Sequence, residues 1–289
     1  MSVPITPKMV AELRARTGAG MMDCKAALEE AGGDLDKAVE ILRAKGIAKA
    51  DRRGDRSASQ GLVVIEAAPS GRDAAMVELN CETDFVAKNA DFIALARDLA
   101  RHVLQHGPTG VHPGTAIESQ SFRAGTVGEA VKEISGKTGE AMTFKRFAHF
   151  HAPEGTVGHY LHHNSQSGAL VELEGVRSEG VTALGRELAL HVTSTDPLGV
   201  SEADIPASLL ESERRIAEEQ VAKEGKPENI RGKIVEGKLR KFIAERTLLG
   251  QGFVKDETKN VGDLVKAAGK EAGGSLSVVR LARFKVGAG

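Results

Sequence analysis

Apolar residues recur at helical spacing over the first fifty positions, give way to short buried runs from Gly61, and return as a thin helical seam after residue 207. Thr6-Pro7 reads as an N-cap with proline at the first helical position, after which Val10 and Leu13 share a face. Gly18 and Gly20 break the chain before a helix through Ala26 and Leu28, which Gly32-Gly33 stops. Asp34 caps a third helix, where Leu35, Ala38, Val39 and Leu42 follow the i, i+3, i+4, i+7 pattern. Three helices this short bury little apolar surface, so a minimal bundle is expected over residues 1–50. The polar stretch KADRRGDRSASQ, ending at Gln60, reads as a linker assigned to residues 51–60.

From Gly61 the period shortens. Leu62 to Ile65 and Ala74 to Leu79 read as buried strands joined through Pro69-Ser70-Gly71, and a helix follows with Phe92, Leu95, Leu99 and Val103 on one stripe. The second half repeats this unit. ALARDLARHV at 94–103 matches ALGRELALHV at 183–192, and MVELN at 76–80 matches LVELE at 170–174. The offset is 94 residues at the strand (170 − 76) and 89 at the helix (183 − 94), so the first copy carries five extra residues between them, within CETDFVAKNADF.

The fold class is therefore α+β, with a core of two related α+β subdomains at 61–147 and 148–206. MTFKRFAHFH and GTVGHYLHH supply further strands. Residues 207–249 read as an antiparallel coiled-coil hairpin projecting from the core. It is broken at Gly225-Lys226-Pro227, with Ile216 and Val221 facing Val235, Leu239 and Phe242. The C-terminal module, 250–289, holds a helix near Val261 to Ala268 and the strand LARFKVG, which pairs back and completes the core.

Composition narrows the function. A length of 289 fits about two domains. Lys and Arg total 39 against 40 Asp and Glu, a net charge of −1, which gives no global field for nucleic acid or an anionic membrane. The basic run from Arg231 to Lys241 is the one local exception. MSVPITPKMV lacks the apolar core of a signal peptide, and no run reaches the ~18 apolar residues of a membrane span. Cys24 and Cys81 stand isolated, as small core residues in a reducing, cytoplasmic setting.

No catalytic set emerges, and a binding protein rather than an enzyme is expected. GAGMM sits between helices and lacks the Lys-Ser/Thr of a phosphate loop, and no Ser elbow or Cys-His pairing is present. His149, His151, His159, His162 and His163 fall within fifteen residues. On strands the first two share a face, His159 and His163 share another, and His162 points away from both. No carboxylate or cysteine completes a ligand pattern, which leaves them as surface or interface histidines.

The inserted segment is the distinctive feature. Aromatics are scarce (nine Phe, one Tyr, no Trp), yet Phe85 is placed beside Asp84 in a stretch the second copy omits. One reading is a core phenylalanine with a helix-capping aspartate. The other is an added loop that inserts an aromatic anchor into a partner, with a charge beside it to compete for a cation.

RTGAGMMDCKAALEEAGGDLDKAVEILR together with NCETDFVAKN resembles the bacterial elongation factor Ts family, the guanine-nucleotide exchange factors of elongation factor Tu. The similarity extends through YLHHN, GKPENIRGKIVEGKLRKF and the late FKVG. It implies a ubiquitin-associated-like (UBA-like) N-terminal domain of three helices ahead of the core, hairpin and C-terminal module. It also implies that Thr83, Asp84, Phe85 and Val86 dislodge magnesium from elongation factor Tu, the ring wedging between helices of the GTPase domain. Further contacts implied are Met21, Met22 and Lys25 in the N-terminal motif, and His162 after the tyrosine. Where the family can carry Ile-Gly this chain has Thr138-Gly139, and at the family's Phe-Val-Met contact it has Val254-Lys255. No cofactor, nucleic acid or membrane is implied. The competing expectation is a passive scaffold or chaperone that binds partner helices without exchange.

Overall fold

The computed structural model describes residues 4–51, 56–224 and 227–288. Residues 52–55 of the expected linker, and Gly225 and Lys226 of the expected hairpin break, lie outside the described residues. The chain opens with α1 (Pro7–Thr17), α2 (Met21–Glu30) and α3 (Leu35–Asp51). Thr6 Oγ1 accepts from the Met9 amide, and Asp34 Oδ1 accepts from those of Asp36 and Lys37, so each supplies an acceptor to donors that a helix start leaves unpaired. Gly18 ends α1 in the left-handed region, φ 69°, where a side chain would be strained. Val10, Leu13, Cys24, Ala27, Leu28 and Ala38 form the bundle's small core.

Two runs of elements with a similar order follow. The first is β1 (Gln60–Ala67), β2 (Asp73–Cys81), α4 (Asp84–Ala87), α5 (Ala90–His106), β3 (Gly110–Pro113), a 3-10 turn (Gly114–Ile117), β4 (Ser121–Phe122), β5 (Gly125–Thr126), α6 (Val127–Thr138) and β6 (Met142–His151). The second is β7 (Gly155–Leu161), β8 (Ser167–Gly175), α7 (Glu179–Thr195), the hairpin α8 (Ala207–Lys223) and α9 (Glu228–Arg246), a 3-10 turn (Leu248–Gly250), β9 (Gly252–Phe253), β10 (Asp256–Asn260), α10 (Val261–Glu271) and β11 (Leu276–Lys285). Their main sheets are antiparallel, in the orders β1-β2-β6-β3 and β11-β8-β7. β6 is continuous through residues 147 and 148, and residues 152–154 join it to β7.

Side-chain alternation places the core. On β2, Ala75, Val77 and Leu79 pack under α5 and α6, while Ala74 and Met76 face the other sheet. On β8, Val171 and Leu173 pack under α7 and α10, while Leu170 faces inward. The result is a helix–sheet–sheet–helix sandwich. Its central layer carries two matching ion pairs, Glu78 Oε2 to Arg146 Nε and Glu172 Oε2 to Arg280 Nε, both 2.7 Å. Each guanidinium lies over a phenylalanine of the opposite sheet, Arg146 on Phe284 at 4.5 Å and Arg280 on Phe150 at 4.4 Å.

The bundle packs on this core through α3 against α6. Gly46 and Gly136 allow the approach, since a Cβ on Gly136 would lie 2.9 Å from the Gly46 Cα. In the hairpin, Ala217, Val221, Val235 and Leu239 are buried. Ile216, expected in that seam, is 42% exposed, because the smaller Ala217 next to it takes the inward position. Among the described residues, no helix is long and apolar enough to cross a membrane.

Candidate partner-binding site

The inserted segment fills residues 82–89, between β2 and α5; the corresponding joint between β8 and α7 is residues 176–178. Its ends are fixed by burial. Cys81 is fully buried and its thiol donates to the Thr83 carbonyl at 3.2 Å. Ala87 is buried, Val86 packs on the core, and Asn89 caps α5 by accepting from the amides of Asp91 and Phe92. The single turn α4 lies between these anchors, and Phe85 is turned out of it, 81% exposed.

The capping reading of Asp84 is overturned. Thr83 is the N-cap, its hydroxyl accepting from the Val86 amide, whereas Asp84 stands one position later in the first helical turn. Asp84 Oδ2 accepts instead from Lys88 Nζ at 2.7 Å, and that hydrogen bond holds its carboxyl below the usual range. Phe85 is likewise not a core residue.

A residue the sequence reading missed holds the loop's opening. Glu140, between α6 and β6, accepts from the Glu82 and Thr83 amides at 3.1 and 3.0 Å and from the Thr83 hydroxyl at 2.5 Å. Glu82 Oε1 reciprocally accepts from the Ala141 amide at 2.6 Å. Burial first, and the Glu140 charge second, push the Cys81 thiol up to about 12, so it is inert as a nucleophile at neutral pH. The signal available in the sequence was an acid immediately after the Gly139 helix stop.

The other expected residues fall in three places. Met21 and Met22 open α2 and are 59% and 74% exposed, one turn before Lys25, which pairs with Glu29 at 3.8 Å. Thr138 ends α6, its hydroxyl donating to the Ile134 carbonyl, and Gly139 stops the helix at φ 79°. Both line a cleft of about 340 Å³ with Arg16, Gly20, Asp23 and Arg43. The structure thus brings Thr138-Gly139 beside the bundle, and Glu140 joins the same turn to Phe85's loop.

His162 and the Val254-Lys255 pair lie in the second run of elements. β7 ends at Leu161, so strand alternation does not govern His162, contrary to expectation. Its Nδ1 lies 3.3 Å from the Tyr160 hydroxyl and its ring 4.2 Å from that of His163. Val254 donates its amide to His191 Nδ1, and Lys255 pairs with Glu187 at 2.5 Å. Asp73 reaches His151 at 2.5 Å and His149 at 3.8 Å, yet among the described residues no three His, Cys, Asp or Glu side chains are placed to hold a metal ion.

An exposed aromatic ring beside a carboxylate, on a loop held at both ends, is suited to insertion into a partner's groove. Comparison with known proteins gives a consistent family. The sequence model of the family "Elongation factor TS" matches residues 82–288. The chain is 44% identical over 285 residues to elongation factor Ts of Alkalilimnicola ehrlichii, covering 99% of this chain and 93% of the relative. It is 40% identical to that of Aquifex aeolicus, covering 99% of both, and 41% identical to that of Clostridium botulinum, covering 99% and 94%.

Proposed function

This chain belongs to the elongation factor Ts family, and from that premise we propose that it is a guanine-nucleotide exchange factor for elongation factor Tu, working in the cytoplasm without covalent chemistry. It binds the GDP complex, disturbs the magnesium and phosphate site, and promotes GDP release. The carrying observation is Phe85, 81% exposed on a segment whose flanking residues are buried or capped. An apolar ring left in water by a rigidly built loop gains by entering an apolar groove. Asp84 beside it brings a carboxylate to the partner's cation site. Met21, Met22, Lys25, Thr138, Gly139, His162, Val254 and Lys255 make the surrounding contacts. The three-helix bundle is then the UBA-like domain, the two runs of elements the related core subdomains, and the hairpin the coiled coil.

Exchange requires only coupling. A factor that binds nucleotide-free partner more tightly than the GDP complex lowers GDP affinity by the same ratio. The test is release of fluorescent GDP from elongation factor Tu with the wild type and with Phe85→Ala. Fast release that collapses in the variant supports both exchange and the loop's part in it. Fast release in both removes the loop from the mechanism. No acceleration by the wild type favours the passive scaffold.

A further inference from the structure

The Phe85 loop is anchored by its own residues at Cys81, Ala87 and Asn89, but its opening is held from another element. Glu140 places one carboxylate against three donors, all from the loop's first two residues: the Glu82 amide, the Thr83 amide and the Thr83 hydroxyl. Its own carbonyl accepts from the Ser135 hydroxyl at 2.5 Å, which ties it to α6.

The hydroxyl bond has a further consequence. Thr83 has one hydroxyl proton. Because the hydroxyl donates that proton to Glu140 Oε1 at 2.5 Å, a lone pair of Thr83 Oγ1 is left to accept from the Val86 amide, the bond that caps α4. A four-residue helix does not form on its own propensity, so α4 depends on such end bonds. The phase of α4 in turn decides that Val86 and Ala87 face the core and Phe85 faces out.

We propose that Glu140 is the positioning residue for Phe85: its carboxylate orients the Thr83 hydroxyl, fixes α4, and holds the ring ready for the partner. This rests on the exchange reading given above for Phe85. It also explains how contact at Thr138-Gly139 would reach the ring, since Glu140 directly follows that pair in the chain. A partner pressing on the end of α6 acts on the backbone from which the loop is held.

The experiment compares Glu140→Ala and Glu140→Gln, each with Phe85 present and with Phe85→Ala. Fluorescent GDP release from elongation factor Tu is measured over a range of factor concentrations, alongside amide hydrogen exchange of residues 82–89. Loss of charge-assisted hydrogen bonds in Glu140→Ala is expected to speed amide exchange in that segment and to lower the maximal release rate roughly tenfold or more. Glu140→Gln keeps the volume and an oxygen for the two amides but turns an NH2 donor toward the Thr83 hydroxyl, so its release rate should stay below the wild type, whereas a space-filling role predicts full recovery. In the Phe85→Ala background, Glu140→Ala should cost much less than in the wild type, because the ring it positions is gone and only Asp84 remains on α4 to be displaced. Unchanged amide exchange in Glu140→Ala, or losses that simply add in the double variant, would overturn the proposal. If Phe85→Ala itself leaves release unaltered, the exchange reading of the loop fails instead. The amide measurement then still decides whether Glu140 holds the segment.

Discussion

Truncating Phe85 to alanine probes the site at its most exposed point. The residue is 81% exposed, and with about 200 Å² for a whole phenylalanine this leaves about 160 Å² for a partner to cover. At about 25 cal/mol per Å², complete burial contributes about 4 kcal/mol. Truncation of interface anchors costs about 2–4 kcal/mol, so the area estimate is an upper bound of the same size. Because about 1.4 kcal/mol is one decade, the second-order rate of GDP release should fall roughly 30- to 1000-fold. The free protein should hardly notice, with stability changed by less than about 0.5 kcal/mol, because the ring rests mostly in water. The assay is stopped-flow release of fluorescent GDP from elongation factor Tu at limiting and saturating factor, with a thermal melt as the control. Release within about threefold of wild type, worth about 0.6 kcal/mol, with an intact melt would refute the claim that the ring is the anchor.

Four further outcomes follow from particular contacts. Asp84→Ala should slow exchange at millimolar magnesium and lose that defect as magnesium is withdrawn; a defect that stays constant across a magnesium titration would remove the cation from its role. His191 is held neutral, its value lowered chiefly by burial, with Nδ1 accepting from the Val254 amide and Nε2 paired to Gln251 at 2.8 Å. The unfolded chain therefore takes a proton first. Stability from this site is complete above the ordinary histidine value of about 6.5, and is lost as pH falls from there through the lowered folded value. Thermal melts between pH 7.5 and pH 5 (assay settings of about these values) should drop more for wild type than for His191→Gln, and parallel curves would refute the assignment. Arg146→Ala leaves Glu78, fully buried, as an unpaired acid, and should cost about 3–5 kcal/mol in urea denaturation. Gly136→Ala forces α3 from α6 and should cost about 1–3 kcal/mol by the same measurement, whereas no change would mean the helices have slack.

What the sequence made legible was local. Thr6-Pro7, Gly18 and Asp34 are helix-end chemistry, decided by a few neighbouring backbone groups, and each acts as its residue type predicts. The matched strand and helix motifs located β2, β8, α5 and α7, because buried faces repeat when the architecture repeats. α6 was missed although Val127, Ala130, Val131 and Ile134 keep strict helical spacing; Gly128, Ser135 and Gly136 lower its propensity and mask the stripe. The seam of the hairpin went one residue astray because hydrophobic size favours Ile216, while the neighbouring Ala217 takes the buried position. Glu140 was not legible as part of the site. Its three donors lie 57 and 58 residues away in sequence, and only the closing of β2 on β6 brings them within reach.

The two runs of elements also show where this architecture accepts additions. The first copy lengthens the joint between β2 and α5, at residues 82–89, and the second inserts α8 and α9 between α7 and its 3-10 turn. Both joints lie at element ends, where extra length costs little closure entropy and disturbs no sheet register. What distinguishes the additions is how they are held. α8 and α9 bury a thin seam of Ala217, Val221 and Val235 against each other and project as a unit. The segment 82–89 has no such internal core and is fixed at its ends, through Cys81 and Glu140 at its opening and the buried Ala87 and the cap Asn89 at its close. A segment fixed in that way can leave its largest apolar side chain in water without losing its shape. That combination lets Phe85 serve a partner rather than the chain's own core.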